Sequence, residues 1–145
     1  MQRSTVTIKR VSRQAELVQA LAIRIRVFVQ EQQVPAHIEL DADDQTAIHL
    51  LALKAGKAVG TARIVMKHDR AKIGRMAVLK SHRRKGAGAA LLKHAIRSAR
   101  NLGARQIYLH AQVAASGFYR LMGFRAVGSV FEEAGIPHRK MIWSG

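Results

Sequence analysis

Arg83-Arg84-Lys85-Gly86-Ala87-Gly88 stands between an apolar run ending at Val78-Leu79 and a helical pattern beginning near Ala89. Two glycines within three residues let the backbone turn with no Cβ in the way, so consecutive amide N–H groups can converge on one anion. A helix starting directly afterwards adds the positive end of its dipole. The stretch reads as a phosphate cradle, although glycine ahead of a helix also serves purely conformational ends.

Working outward, the residues before the cradle alternate as strands. Val6 and Ile8 open one, Ile48 to Lys54 a second, Val59 to Met66 a third and Ile73 to Leu79 a fourth, with Ala55-Gly56 suited to a hairpin turn. Ser12 is placed to cap a helix carrying Leu17, Leu21, Ile25 and Phe28 that ends by Pro35. The acidic stretch Ala36 to Thr46 reads as an exposed loop or a short helical turn. After the cradle, Leu91, Leu92, Ala95, Ile96, Ala99 and Leu102 form the buried stripe of a helix that Gly103 terminates. Gln106 to His110 then returns as an apolar strand, the pattern of a parallel crossover beside the Ile73 strand. A short helix at 114–121 stops at Gly123, and two strands near Phe124 to Phe131 and His138 to Trp143 flank Gly135-Ile136-Pro137. The expected fold is α/β, one domain over 1–145, with a mixed and mainly antiparallel sheet.

Composition narrows the function. With 145 residues and 48% hydrophobic content the chain can bury one substantial core. No apolar run reaches membrane-spanning length, and Met1-Gln2-Arg3-Ser4-Thr5 enters a strand pattern, not a signal peptide, so a cytoplasmic protein is expected. The absence of cysteine excludes disulfides, thiolate metal sites and a cysteine-borne acyl intermediate. The seven histidines are scattered, and no metal site is expected. The net charge of +16 is concentrated in residues 45–131, which hold 17 Lys and Arg against one acid, Asp69. Such a field draws in a polyanion. Nucleic acid is the rival partner, but the seven aromatics form no stacking array.

A second motif gives the cradle a meaning. Arg83-Arg84-Lys85-Gly86-Ala87-Gly88 resembles the acyl-coenzyme A loop of the GNAT superfamily of N-acetyltransferases. Phe118-Tyr119-Arg120-Leu121-Met122-Gly123-Phe124 resembles its Phe-Tyr-x-x-x-Gly-Phe element, in the right order and separated by one helix and one strand. Phe28-Val29-Gln30-Glu31-Gln32, His110-Ala111-Gln112 and Glu132-Glu133-Ala134-Gly135-Ile136-Pro137-His138 resemble the ElaA-type subgroup.

The resemblance implies a fold in which Ile73 to Val78 and Gln106 to Ala111 splay apart and the pantetheine arm of acetyl-coenzyme A (acetyl-CoA) slots between them. Met76-Ala77-Val78 would bind the arm through the main chain and Gln112 through its side chain. Backbone amides of Arg84, Lys85, Gly86, Ala87, Gly88 and Ala89 would hold the pyrophosphate, with charge added by Arg83, Arg84 and Lys85. Without cysteine, the acceptor amine attacks directly in a ternary complex. Tyr119 matches the usual acid at the thiolate, and the Val78 N–H is positioned for the oxyanion. The general base stays open among Glu31, His110, His138 and a water chain.

The resemblance also implies that the acceptor enters past the first-helix loop and the segment joining the last strands, where Asp41, Asp43, Asp44, Glu132 and Glu133 concentrate. A small cationic primary amine is the expected acceptor, and family habit implies a homodimer with no membrane partner. A nucleic-acid-binding module and an acyl-CoA sensor without turnover are the alternatives to an acyltransferase.

Overall fold

Tight two-residue turns set the register of much of the sheet in the computed structural model, which describes residues 5–145. The expected opening of the first strand at 1–4, and the comparison with a signal peptide, lie outside the described residues. Strand β1 (Val6–Arg10) pairs antiparallel with β2 (Ile48–Lys54), and β2 with β3 (Lys57–Lys67) across Ala55-Gly56, both at positive φ. β3 then pairs with β4 (Arg70–Val78) across His68-Asp69. The last hairpin is tighter than the sequence suggests. Strands β6 (Phe124–Glu133) and β7 (Ile136–Trp143) run up to Ala134-Gly135, whose φ values of 53° and 76° match the right-handed twist of a two-residue hairpin. With β5 (Gln106–Gln112) the seven strands order as β1-β2-β3-β4-β5-β7-β6. This is the mixed α/β architecture expected, with β4 and β5 its one parallel pair.

Helix α3 (Ala87–Asn101) covers one face and buries Leu91, Leu92, Ala95, Ile96 and Ala99 against Leu50, Ile64, Ile73, Ile107 and Met141. Leu102, expected in that stripe, caps the helix and is 48% exposed. The helix starts two residues earlier than expected because Gly86, at φ 94°, serves as its N-cap. Gly60 on β3 lets α3 approach closely. A Cβ there would stand 3.1 Å from both the Ala77 carbonyl oxygen and Leu91 Cδ1. The short helix α4 (Ser116–Leu121) follows β5.

Helix α1 (Gln14–Arg24) covers the other face and continues as a π-helical stretch over Ile25–Glu31. Ser12 is not its cap. Arg13 occupies that position, and the Glu16 carboxylate accepts from the backbone N–H groups of Ser12 and Arg13 at 2.9 and 3.2 Å. The buried stripe is also rotated from the expected one. Glu16, Ala20, Ile23, Arg24 and Val27 face inward, while Leu17, Leu21, Ile25 and Phe28 lie at its margin. An apolar stripe passes over Arg24, yet its side chain is 1% exposed.

Arg24 can be buried because the segment 36–45 folds over it as α2 (Ala36–Glu39) and a 3-10 turn (Ala42–Gln45). Arg24 Nε meets Glu39 Oε2 at 2.8 Å, and its Nη1 meets Asp44 Oδ1 at 2.7 Å. Arg63 on β3 binds Asp41 and Asp44 at 2.6 and 2.8 Å, and Arg75 on β4 binds Glu39 and Asp41 at 3.2 and 3.0 Å. Three arginines and three carboxylates thus neutralise one another. The segment expected as an exposed loop or a short helical turn is two short helical turns, mostly exposed, that direct Glu39, Asp41 and Asp44 into an ion-pair network.

Burial alone would raise the Asp44 carboxyl, but the hydrogen bonds from Arg24 and Arg63 hold it at about 2, below its ordinary 3.8. The stabilisation is therefore complete above the ordinary range and is lost as pH falls through about 2. Asp44→Asn is expected to cost about 1–2 kcal/mol in urea unfolding at pH 7, less than a fully buried pair because Asp44 keeps some solvent contact. Between pH 4 and 2 the wild-type protein should lose stability more steeply than the variant.

Candidate active site

β4 and β5 part after three pairs, Arg70–Gln106, Ala71–Ile107 and Lys72–Tyr108. From there β5 pairs only with β7, and the edge of β4 facing it is left open. A bulge in β4 sharpens the divergence. Thr61 faces Ala77 but Arg63 faces Gly74, so β4 carries one extra residue, and Arg75 within the bulge sits at φ 50°. The guanidinium of Arg75 is tied to Glu39 and Asp41, which fixes this conformation.

The gap between the strands opens into a cavity of about 550 Å³. Met76, Ala77, Val78, Arg83, Gln112 and Tyr119, all named from the sequence, line one part of it. The Leu79 N–H bonds the Val59 carbonyl at 2.9 Å, which makes Val59 and Leu79 a bonded pair of the antiparallel ladder. The polar groups of Val78 must then point the other way, into the gap. Its carbonyl accepts from Arg83 Nε at 2.8 Å. The Val78 N–H, by the same alternation, points into the gap.

The turn Lys80–His82 carries the chain from Val78 to the cradle. Arg84 at φ 61° and Gly86 at φ 94° turn the backbone there, and no described group accepts from the N–H groups of Arg84, Lys85, Gly86, Ala87, Gly88 or Ala89. These free donors at the start of a 15-residue helix carry the positive potential an anion would need, and of the cradle residues Arg83 alone lines the cavity. Arg83 is differently employed. Its Nη2 donates to both carboxylate oxygens of Glu31 at 2.9 Å. Glu31 does not line the cavity, and its place in the structure is as the partner of Arg83, not beside the other base candidates. Gln112 Nε2 donates to Gln32 Oε1 at 2.8 Å, joining β5 to the end of the first helix across the cavity.

Tyr119 is packed edge-on against Phe118 and Phe124, and burial pushes its hydroxyl up to about 12. It remains a proton donor throughout the neutral range. His110 and His138 also line the cavity, and the structure brings them to one carboxylate. His110 Nδ1 lies 2.9 Å from Glu133 Oε1, and His138 Nε2 lies 3.7 Å from Glu133 Oε2. His138 Nδ1 donates to the Ile136 carbonyl at 2.7 Å, which leaves Nε2 unprotonated in the neutral ring. The hydrogen bond from His110 holds the Glu133 carboxyl below its ordinary range. An ionised Glu133 takes the Nδ1 proton of His110 as a donor and leaves the Nε2 lone pair free.

Of the acids expected to guide the acceptor, Asp41 and Asp44 belong to the arginine network, and Asp43 and Glu133 line the cavity. Sequence reading missed Lys72, which lines the same region. Its alternation within β4 places it on this face, but a lysine in a polar-apolar strand reads as solvated. It also missed Arg63 and Arg75, whose partners lie 19 to 36 residues away in the chain.

An open gap between parallel strands, a turn of unpaired backbone donors before a helix and a half-buried tyrosine match the arrangement expected of an acyl-CoA-dependent transferase. A family model described as acetyltransferase (GNAT) domain matches residues 9–144, and the chain belongs to that family. The uncharacterized N-acetyltransferase YjcF of Bacillus subtilis is 38% identical over 128 residues, which cover 88% of this chain and 91% of that protein. ElaA of Escherichia coli is 34% identical over 130 residues, 86% of this chain and 84% of its own, and its crystal structure matches with a TM-score of 0.85. An acyl-CoA N-acyltransferase from Pseudomonas aeruginosa matches with a TM-score of 0.84 at 30% identity, over 97% of this chain and 99% of that one. Within the family the chain is of the ElaA type, and it is an acetyl-CoA-dependent N-acetyltransferase. No helix among the described residues is long and apolar enough to cross a membrane.

The His110–Glu133 contact has a direct spectroscopic consequence. Long-range proton–nitrogen NMR is expected to show neutral His110 protonated on Nδ1, and Glu133→Ala should convert it to a mixture of tautomers.

Proposed function

We propose that the protein transfers the acetyl group of acetyl-CoA directly to a small primary amine in a ternary complex, with His110 as general base and Tyr119 as general acid. The observation that carries this reading is that one cavity holds the inward edge of β4, the Tyr119 hydroxyl and a histidine whose proton-bearing nitrogen is fixed by a carboxylate. The amine arrives as an ammonium ion, attracted by Asp43 and Glu133. His110 Nε2 takes its proton, and the freed nitrogen attacks the thioester carbonyl carbon. The Val78 N–H receives the oxyanion as the tetrahedral centre forms. When the carbon–sulfur bond breaks, the Tyr119 hydroxyl protonates the departing thiolate; the second proton leaves the nitrogen as the amide forms and passes through solvent to Tyr119, while His110 releases the first to solvent. His138, held against Ile136 through Nδ1, lines the cavity beside Glu133 without a hydrogen bond to it. The backbone donors at 84–89 hold the pyrophosphate, while Arg83 braces the gap through Val78 and Glu31.

Thermal stabilisation by acetyl-CoA, followed by thiol release with an amine panel, tests the whole reading. No stabilisation and no thiol release would overturn it. Tyr119→Phe and His110→Ala are each expected to lower kcat by roughly 10²-fold or more with the KM for acetyl-CoA little changed. Gly86→Val should instead raise that KM, because a β-branched residue resists φ 94° and distorts the cradle. The rate should show no fall from Tyr119 ionisation near its ordinary 10.0, since burial has moved that ionisation to about 12.

A further inference from the structure

We propose that Lys72 determines acceptor specificity by receiving a carboxylate, so that the amine acetylated by this protein is an amino acid or a close zwitterionic analogue. The inference rests on the direct-transfer reading above and names the class of its second substrate.

Four cationic side chains of Lys or Arg line the cavity: Arg63, Lys72, Arg75 and Arg83. Arg63 is held by Asp41 and Asp44, Arg75 by Glu39 and Asp41, and Arg83 by Glu31. Lys72 makes no ion pair or side-chain hydrogen bond among the described residues. The nearest acids do not fill the gap. Glu133 is engaged by His110, and no oxygen of Asp43 comes within ion-pair distance of the ammonium. A half-buried ammonium without a counter-ion is costly, and a carboxylate brought by a ligand removes that cost. Burial accordingly lowers the proton affinity of Lys72, with Glu133 and Asp43 opposing the shift.

Position assigns this charge to the acceptor and not to acetyl-CoA. Lys72 lies at the closed end of the gap, in register with Tyr108. Six positions along β4, the bulge among them, separate it from Val78 and the glycine turn beyond. His110 follows Tyr108 by two residues, so it lies on the same face of the sheet, one pleat farther along the gap. An acceptor whose nitrogen meets His110 can therefore direct a second group at Lys72. Asp43 and Glu133 bear on both ends of the acceptor. They attract an ammonium, and they repel a dianion such as a phosphate monoester more strongly than a single carboxylate.

The experiment measures thiol release from acetyl-CoA with matched pairs, L-phenylalanine against phenethylamine and L-lysine against cadaverine, in the wild type, Lys72→Met and Lys72→Arg. The amino acid of a pair is expected to show a kcat/KM at least tenfold above its decarboxylated partner. Lys72→Met should raise the KM for the amino acid by about 10- to 100-fold, leave the partner amine and the KM for acetyl-CoA unchanged, and be partly rescued by Lys72→Arg. Equal use of both members, preference for the decarboxylated amine, or an equal loss for both in Lys72→Met would overturn this inference while leaving amine acetylation standing. Failure of every amine, with no stabilisation by acetyl-CoA, would overturn the transfer reading and this inference with it.

Discussion

The site depends on Arg75 holding a left-handed backbone conformation in the middle of a strand. At φ 50° a residue with a Cβ is disfavoured by about 1–2 kcal/mol. Charge-assisted hydrogen bonds from its guanidinium to Glu39 and Asp41 offset this. The bulge it creates turns the open edge of β4 away from β5, and three pairs are all the two strands share. Without the bulge, β4 and β5 would continue as an ordinary parallel ladder, and their inward polar groups would satisfy each other. With it, the Val78 N–H faces a gap that an extended ligand can fill.

The same arginine ties the gap to the segment over it. Glu39 and Asp41 are shared with Arg24 of the first helix and Arg63 of the neighbouring strand, so α1, α2, β3 and β4 meet in one neutral network. Neutralising three carboxylates this way leaves Asp43 and Glu133 as the acids that face the cavity without an arginine. The electrostatics of this part of the cavity are thus set by what the network does not consume. The basic middle of the chain acts at the other end, where the strand-to-helix turn collects backbone donors inside a field of excess Lys and Arg.

Much of this was legible in the chain. Alternation in Ile48 to Lys54 and Ile73 to Leu79, the stripe from Leu91 to Ala99 and the returning strand at Gln106 follow from local periodicity, and the structure has each of them. The errors share a cause. Ser12 was read as a cap because its neighbours were weighed alone, whereas Glu16 satisfies the same backbone donors from inside the helix. The short helical turns after Pro35 were legible, but not the ion pairs of Glu39, Asp41 and Asp44, because their arginine partners lie on other elements. Arg83, one of three side chains expected to add charge at the phosphate, and Glu31, one of the candidates for the base, bind each other over 52 residues of sequence. A charged side chain announces its sign locally but not its partner.

By itself the sequence determined the order of elements, the glycine turn before the third helix, the family and the absence of any cysteine route, because each rests on spacing within a few residues or on composition. Only the tertiary structure decided which acids are spent on arginines, which histidine nitrogen is free, and that Lys72 faces the cavity with no partner. Those are properties of pairs brought together by the parting of β4 from β5, and a pair has no signature in either of its members.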